Sequence, residues 1–306
     1  CRKELFDRKS VSCDLSFDSP YNDHTDIFSE NTKKISISGV QVKYSLKLDD
    51  GTLQLTDRGG EFILKPVPVG TFQNLNQAPA NEHLTMQIAR QVYKLSIPPN
   101  ALIRFRDGSQ AYIVRRFDRR VGGEKLQQED FAQLAQMSSE SHGQNYKYDL
   151  SYEEIAGLIR QYIPTYLIEL EKFFKVILFN YLLGNGDAHL KNFSVIRTEH
   201  GDYTLTPMYD LLCTKLHSPN ESDLALDLFK EGFPPTFEAV GFYTHPDFLE
   251  FGQAIGIRKS RVERILKSFT EPVSLALQLI DASLLDSEIK SIYKSIYLDR
   301  LNRMKL

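Results

Sequence analysis

The sequence predicts an α+β chain of two lobes, a small β-rich N-terminal lobe and a larger helical C-terminal lobe. Apolar and polar residues alternate through much of residues 35–65 and again within 101–117, the period-two pattern of strands. Helical patterning dominates the remainder, and Gly122-Gly123 stands between the two regions as an inter-lobe hinge.

The first thirty residues are polar and mixed, with turn formers at Ser19-Pro20 and Asn22-Asp23, and are expected to form a loosely attached arm ending near residue 34. Ile35-Ser36-Ile37-Ser38-Gly39 and Val42–Leu48 then look like strand, turn, strand. Asp49-Asp50-Gly51 marks a hairpin leading into Thr52–Leu55, and Glu61–Lys65 continues an antiparallel sheet that Pro66 and Pro68 terminate. From Asn81 onward Leu84, Ile88, Val92 and Leu95 recur at helical spacing. A strand pair, Ala101–Phe105 and Ala111–Phe117, turns at Arg106-Asp107-Gly108-Ser109 and completes an N-terminal lobe of residues 35–118. In the C-terminal lobe, 119–306, a capping box at Ser151–Glu154 opens one helix, and Pro164 starts a long one that Gly184 stops. Phe193–Arg197 and Tyr203–Pro207 form a short hairpin, and the chain beyond Arg258 is helical.

Composition narrows the classes of function. With 37 basic against 40 acidic residues the net charge is −3, so the chain lacks the field that concentrates a protein on nucleic acid or anionic lipid, and DNA contact would need a partner. The apolar stretch Tyr166–Leu183 carries Glu169, Glu171, Lys172 and Lys175, which are costly in lipid, so it is expected to be a core helix and no membrane association is expected. Cys1, Cys13 and Cys213 are odd in number and scattered, which argues against a disulfide framework or zinc site and fits a reducing cytoplasm. No charged-then-apolar leader opens the chain, and its start at Cys1 leaves a processed or truncated beginning open.

The most informative pattern is Gly184-Asn185-Gly186-Asp187-Ala188-His189-Leu190-Lys191-Asn192-Phe193 with Asp210 further on. Phosphoryl transfer needs a carboxylate to orient an acceptor hydroxyl and take its proton, the role of Asp187. It also needs hard oxygens to hold magnesium on ATP, which Asn192 and Asp210 supply. Lys65, ending an apolar strand, is placed to meet the α- and β-phosphates, and Glu82 to pair with it. The segment 36–41, Ser-Ile-Ser-Gly-Val-Gln, occupies the position of a phosphate-covering loop, in which Gly39 permits close backbone approach. His189 and Lys191 either contact the γ-phosphate or bond neighbouring carbonyls. Arg115, Arg116, Arg119 and Arg120 are expected to form a salt-bridged hinge surface. Together these features read as a kinase.

Ser-Ile-Ser-Gly at 36–39, Phe-Ile-Leu-Lys-Pro at 62–66, Asn-Glu-His at 81–83, Arg-Arg-Phe-Asp-Arg at 115–119, Gln-Gln-Glu-Asp-Phe-Ala-Gln at 127–133, the 184–193 motif and Met-Tyr-Asp at 208–210 resemble the HipA-like serine/threonine kinase toxins. The similarity covers about residues 35–215 and is greatest to the short HipT branch without the extra N-terminal subdomain. The resemblance implies a protein-kinase-like two-lobed fold, ATP and magnesium, with Asp187 as base, Asn192 and Asp210 as metal ligands, and Lys65 on the α/β-phosphates. It implies that Ser38, Gly39, Val40, Gln41, Val42 and Lys43 cover the phosphates, that the backbone of Arg115 and Phe117 meets adenine, and that Asp118 meets the ribose. It implies autophosphorylation of Ser36 and Ser38, whose added charge would expel the loop and switch the toxin off. The implied protein substrate is an aminoacyl-tRNA synthetase, and the implied partners are an antitoxin resembling the missing subdomain and a helix-turn-helix repressor. A small-molecule kinase and a catalytically silent nucleotide-binding subunit are the alternatives. Three departures stand out. The loop lacks the three glycines of ordinary protein kinases, Met-Tyr-Asp at 208–210 puts its aspartate last rather than first, and Gln127 stands where the family usually has His.

Overall fold

The computed structural model describes residues 1–20, 33–34, 42–120, 123–271 and 273–306. After a short helix α1 (Arg2–Leu5), the chain builds an antiparallel six-stranded sheet from β1 (Lys33–Lys34), β2 (Val42–Asp49), β3 (Thr52–Leu55), β4 (Phe62–Pro66), β5 (Asn100–Arg104) and β6 (Gln110–Arg115). The order is β1-β2-β4-β6-β5, with β3 paired to β2 through a turn in which Asp50 and Gly51 both have positive φ. Pro66 remains inside the ladder as the last residue of β4, opposite Ala111. Between β4 and β5 runs α2 (Ala78–Gln91), which packs on β5 and β6.

Strand alternation sorts β6 between two cores. Ala111 and Ile113 join Leu46, Phe62, Leu64 and Ile103 on one face, whereas Tyr112 and Val114 turn to α2 and the core it shares with the C-terminal helices. The first face is closed by the N-terminal segment, which corrects the expectation of a loose arm for residues 1–20. Leu5, Phe6 and Leu15 are buried there, Phe6 meets Phe62 at 5.5 Å between ring centroids, and the Leu15 amide donates to the Arg104 carbonyl at 2.7 Å. Residues 21–32 of the expected arm, and the expected strand and loop at 35–41, lie outside the described residues.

The C-terminal part contains a three-stranded sheet, β7 (Gln128–Asp130), β8 (Ser194–Arg197) and β9 (Tyr203–Leu205), and helices α3 (Phe131–Leu134), α4 (Ser139–His142), α5 (Tyr152–Tyr162), α6 (Tyr166–Leu183), α7 (Pro235–Val240), α8 (His245–Ala254), α9 (Lys259–Thr270), α10 (Val273–Asp281) and α11 (Ser287–Arg303). The Ser151–Glu154 capping box is formed at the start of α5. Helix α6 is apolar nearly all round because α5, α9 and α11 pack against it. Its Phe173 is fully buried against Tyr152 and Phe193, at 6.1 and 5.2 Å between centroids. Phe173→Ala should therefore cost about 3–5 kcal/mol, read as a lower midpoint in urea unfolding.

Candidate active site

The end of α6 sets the geometry of the site. Gly184 adopts φ +66, the left-handed conformation that stops a helix, and a side chain there would meet Ile296 at 2.8 Å. The loop that follows is held from several directions. Asn185 bonds back to Asn180, the Gly186 amide donates to Thr214 Oγ1 at 2.8 Å and Glu221 Oε1 at 3.3 Å, and Tyr152 Oη donates to the Ala188 carbonyl at 2.9 Å. The His189 amide donates to Asn192 Oδ1 at 3.2 Å, so Asn192 both closes the loop and faces the cleft.

Asp187 emerges from this loop with Oδ1 accepting a hydrogen bond from Tyr148 Oη at 2.6 Å and lying 3.9 Å from His189 Nε2. Burial pushes its carboxyl above the usual range, against the lowering effect of the Tyr148 bond. Burial, reinforced by Lys147, pulls His189 down to about 3, so it is neutral at physiological pH. Lys191 pairs with Asp130 at 2.8 Å, a carboxylate partner that neither of its two expected roles named.

Opposite the loop lies a chain of alternating charges. Lys65 Nζ, almost fully buried on β4, donates to Glu82 Oε1 of α2 at 2.5 Å and also to Asp210 Oδ1, while Lys43 Nζ on β2 reaches Asp210 Oδ2 at 3.2 Å. Asp210 sits at φ +55, rare for a residue with a side chain. Burial alone would raise its carboxyl, but the ammonium groups of Lys43 and Lys65 hold it far below the ordinary carboxylate range. Lys65 is held above its ordinary value because Asp210 and Glu82 outweigh its desolvation. Glu82 is pushed up by burial, with Lys65 opposing.

Two cavities meet at this region. One of about 740 Å³ is lined by Lys43, Asp118, His189, Lys191, Asn192 and Asp210 together with Arg116, Lys125 and Lys147. The other, of about 690 Å³, contains Asp187. Lys43, Asp118, His189, Lys191, Asn192 and Asp210 thus share one cavity, whereas Asp187 and Tyr148 line the other. The donors suit the groups they would hold, since clustered ammonium and guanidinium groups match a polyphosphate. The oxygens of Asn192 and Asp210 match a hard divalent ion, which would take the place of Lys43 on Asp210.

Other predicted residues are placed as follows. Ser36, Ser38, Gly39, Val40 and Gln41 lie outside the described residues, and Val42 begins β2. The Arg115 amide is already bonded to the Pro99 carbonyl at 2.9 Å and its guanidinium to Asp7, so only its carbonyl remains for a base. The Phe117 ring lies tilted against that of Tyr209, 5.6 Å between centroids. Both Asp118 oxygens accept from Arg116, at 2.8 and 2.6 Å. Arg120 pairs with Glu124 and Arg119 donates to the Gly123 carbonyl, so all four arginines are bonded, three of them to carboxylates, while Gly122 of the expected hinge lies outside the described residues.

Tyr148 and Glu221 carry no motif, and Asp130 lies in the 127–133 segment without an expected role of its own. Burial pushes the Glu221 carboxyl up to about 7 from 4.5, opposed by its bonds from Thr214 and Gly186. A carboxyl whose folded value is raised favours the native state below its unfolded value, and that support is lost as pH rises through the folded one. Glu221→Gln, which keeps an acceptor for Thr214 and Gly186, should match the wild type below about pH 4.5 and melt at a higher temperature above about pH 7, in thermal denaturation across that range.

A small antiparallel sheet carrying a buried lysine–glutamate pair, set on a helical body with an Asp/Asn loop, defines an α+β kinase-like fold. It matches a chain of the HipA, HipB and operator DNA complex of Shewanella oneidensis, with TM-score 0.68 and 22% identity over 89% of this chain and 65% of that one. It also matches the Helicobacter pylori proinflammatory kinase CtkA, with TM-score 0.54 and 15% identity over 86% and 90%. The family described as HipA-like C-terminal domain matches residues 35–276, and the chain belongs to that family. A Haemophilus influenzae protein named "putative kinase" is 31% identical over 84% of this chain and 77% of its own length. The serine/threonine-protein kinase toxin HipA of Shewanella oneidensis is 25% identical over 88% of this chain and 64% of its own. The chain is therefore related to kinases and to toxin–antitoxin proteins, and it spans about half the length of a further kinase-named relative in Sinorhizobium fredii, 49%. Among the described residues no helix is long and apolar enough to cross a membrane.

Proposed function

We propose that the chain is an ATP-dependent protein serine/threonine kinase, the toxin component of a bacterial toxin–antitoxin pair of the short HipT kind. The observation that carries this is the convergence of Lys43 and Lys65 on Asp210 at the wall of a cavity that Asn192 and His189 also line. In this reading Lys43 and Lys65 neutralise phosphate oxygens, Glu82 keeps Lys65 aimed, and Asp187 orients an acceptor hydroxyl and takes its proton. Magnesium held by Asn192 and Asp210 would supply charge neutralisation on the triphosphate. His189, neutral and buried, positions Asp187 rather than contributing charge. Asp118 would meet the ribose by sharing its carboxylate with Arg116, and the carbonyl of Arg115 with the backbone of Phe117 would frame the base.

The substrate is proposed to be an aminoacyl-tRNA synthetase, and the loop serines Ser36 and Ser38 to be autophosphorylation sites that end activity through charge repulsion. The Shewanella oneidensis HipA structure includes HipB and operator DNA. By analogy this chain would act with a DNA-binding antitoxin that supplies the basic surface its net charge of −3 lacks, and with a small antitoxin resembling the N-terminal subdomain of HipA toxins, in the cytoplasm.

Incubation with γ-labelled ATP and magnesium tests the reading. Label on protein, lost on chelation, with phosphopeptides containing Ser36 or Ser38 in mass spectra, is the expected result. Label on an added sugar or aminoglycoside instead would make it a small-molecule kinase, and no transfer alongside ATP binding would make it a silent nucleotide-binding subunit.

A further inference from the structure

The two cavities lined by different residues of the segment Gln144–Tyr148 differ in chemistry. Lysine and arginine side chains line the larger one, namely Lys43, Arg116, Lys125, Lys147 and Lys191. The other contains no lysine or arginine and is lined by Val69, Phe72, Leu75, Leu212 and Ala225, with Asp187 and Glu221 as its acids. Val69 and Phe72 are 57% and 47% exposed, large apolar side chains left facing water at the mouth of a groove. Between the cavities runs the segment Gln144–Tyr148, whose Gln144, Tyr146 and Lys147 line the cationic side and whose Asn145 and Tyr148 line the apolar side. Tyr148 is not idle in that partition. Its hydroxyl donates to Asp187 Oδ1 at 2.6 Å, and burial with that bond drives the phenol well above its ordinary value, so it stays a protonated donor.

We propose, resting on the phosphotransferase reading above, that the apolar groove is the acceptor site, that it takes an extended peptide segment presenting a Ser or Thr hydroxyl beside apolar side chains, and that Tyr148 Oη holds the acceptor-oxygen position until the substrate displaces it. A polyanion is drawn to the cationic cavity and has no counter-charge in the groove, whereas the groove offers burial to leucine-like side chains and a carboxylate to a hydroxyl. Asp187 faces the groove, so the hydroxyl it serves comes from that side. In the transfer the acceptor oxygen bonds to the terminal phosphorus of a nucleoside triphosphate. The bond from that phosphorus to the bridging oxygen breaks, with its electron pair leaving on the nucleoside diphosphate, and the hydroxyl proton passes to Asp187. Tyr148 swings off Asp187 on acceptor entry, which links specificity to release of the base.

The test uses the full chain and two fluorescein-labelled peptides, one with serine flanked by leucines and one with the same serine flanked by lysines. Anisotropy without nucleotide reads binding, and label transfer from magnesium-ATP reads chemistry. The leucine peptide should bind more tightly, and Phe72→Ser, at an exposed position that the fold tolerates, should weaken it by about tenfold or more. The same variant should raise the KM for the leucine peptide and not that for magnesium-ATP. Tyr148→Phe should raise acceptor-independent ATP hydrolysis, since water gains access to Asp187, and should move the acid limb of its pH profile. Equal binding of the two peptides, or a Phe72→Ser variant with unchanged affinity, overturns the groove while leaving phosphoryl transfer intact. Absence of label transfer to any acceptor by the wild type removes the phosphotransferase reading and the proposal with it.

Discussion

Asp187→Asn should lower label transfer from ATP to protein by about two to four orders of magnitude, the span attributed to a positioned general base. The substitution keeps the shape of the side chain, and the loop that holds it is fixed by Asn185, Thr214, Glu221 and Tyr152 acting on neighbouring residues. Melting temperature should therefore change little while turnover collapses. The wild-type pH profile should rise through a value above the ordinary carboxyl range, because burial raises Asp187 and only its ionised form accepts a proton. His189 adds no limb near neutrality, being held to about 3. Single-turnover kinetics of the two proteins across pH check both statements, and a variant with near wild-type turnover would remove Asp187 from its role.

Lys65→Met should affect stability and nucleotide binding together. The methionine fills similar space, but Glu82 loses its partner and Asp210 retains only Lys43. Breaking a buried ion pair by removing one member typically costs about 3–5 kcal/mol, because the remaining charge is left desolvated. The pH dependence has a definite sign. Glu82 already titrates above its ordinary value through burial, and without Lys65 it would be raised further, so the variant's deficit is greatest near neutrality and narrows as pH falls and the carboxyl is protonated. Denaturant midpoints at pH 5 and pH 8 measure this. Magnesium-ATP should raise the midpoint of the wild type and leave that of the variant unchanged.

The strands, the long apolar helix and the stop at Gly184 were legible because each rests on local rules, namely alternation, a full turn of apolar residues and a left-handed C-terminal residue. The Lys65–Glu82 pair was legible as a pairing. Its burial was not, since burial depends on β6 supplying Tyr112 beneath Lys65, 5.5 Å from Nζ to the ring centroid. Residues 1–20 looked unstructured because their anchors, Leu5, Phe6 and Leu15, follow no period and meet residues far along the chain. Tyr148 and Glu221 gave no signal at all. Their significance comes from facing Asp187 and Gly186 across loops that no local pattern joins.

The account's central claim is that Asn192 and Asp210 hold a metal-bound triphosphate in the cationic cavity. Anomalous scattering from crystals grown with manganese and a non-hydrolysable ATP analogue tests it most directly. The account predicts one manganese peak shared by Asn192 Oδ1 and an Asp210 oxygen, with Lys43 moved from Asp210 onto the phosphates. A triphosphate lying in the groove beside Phe72, or manganese bound elsewhere with both lysines still on Asp210, would contradict it.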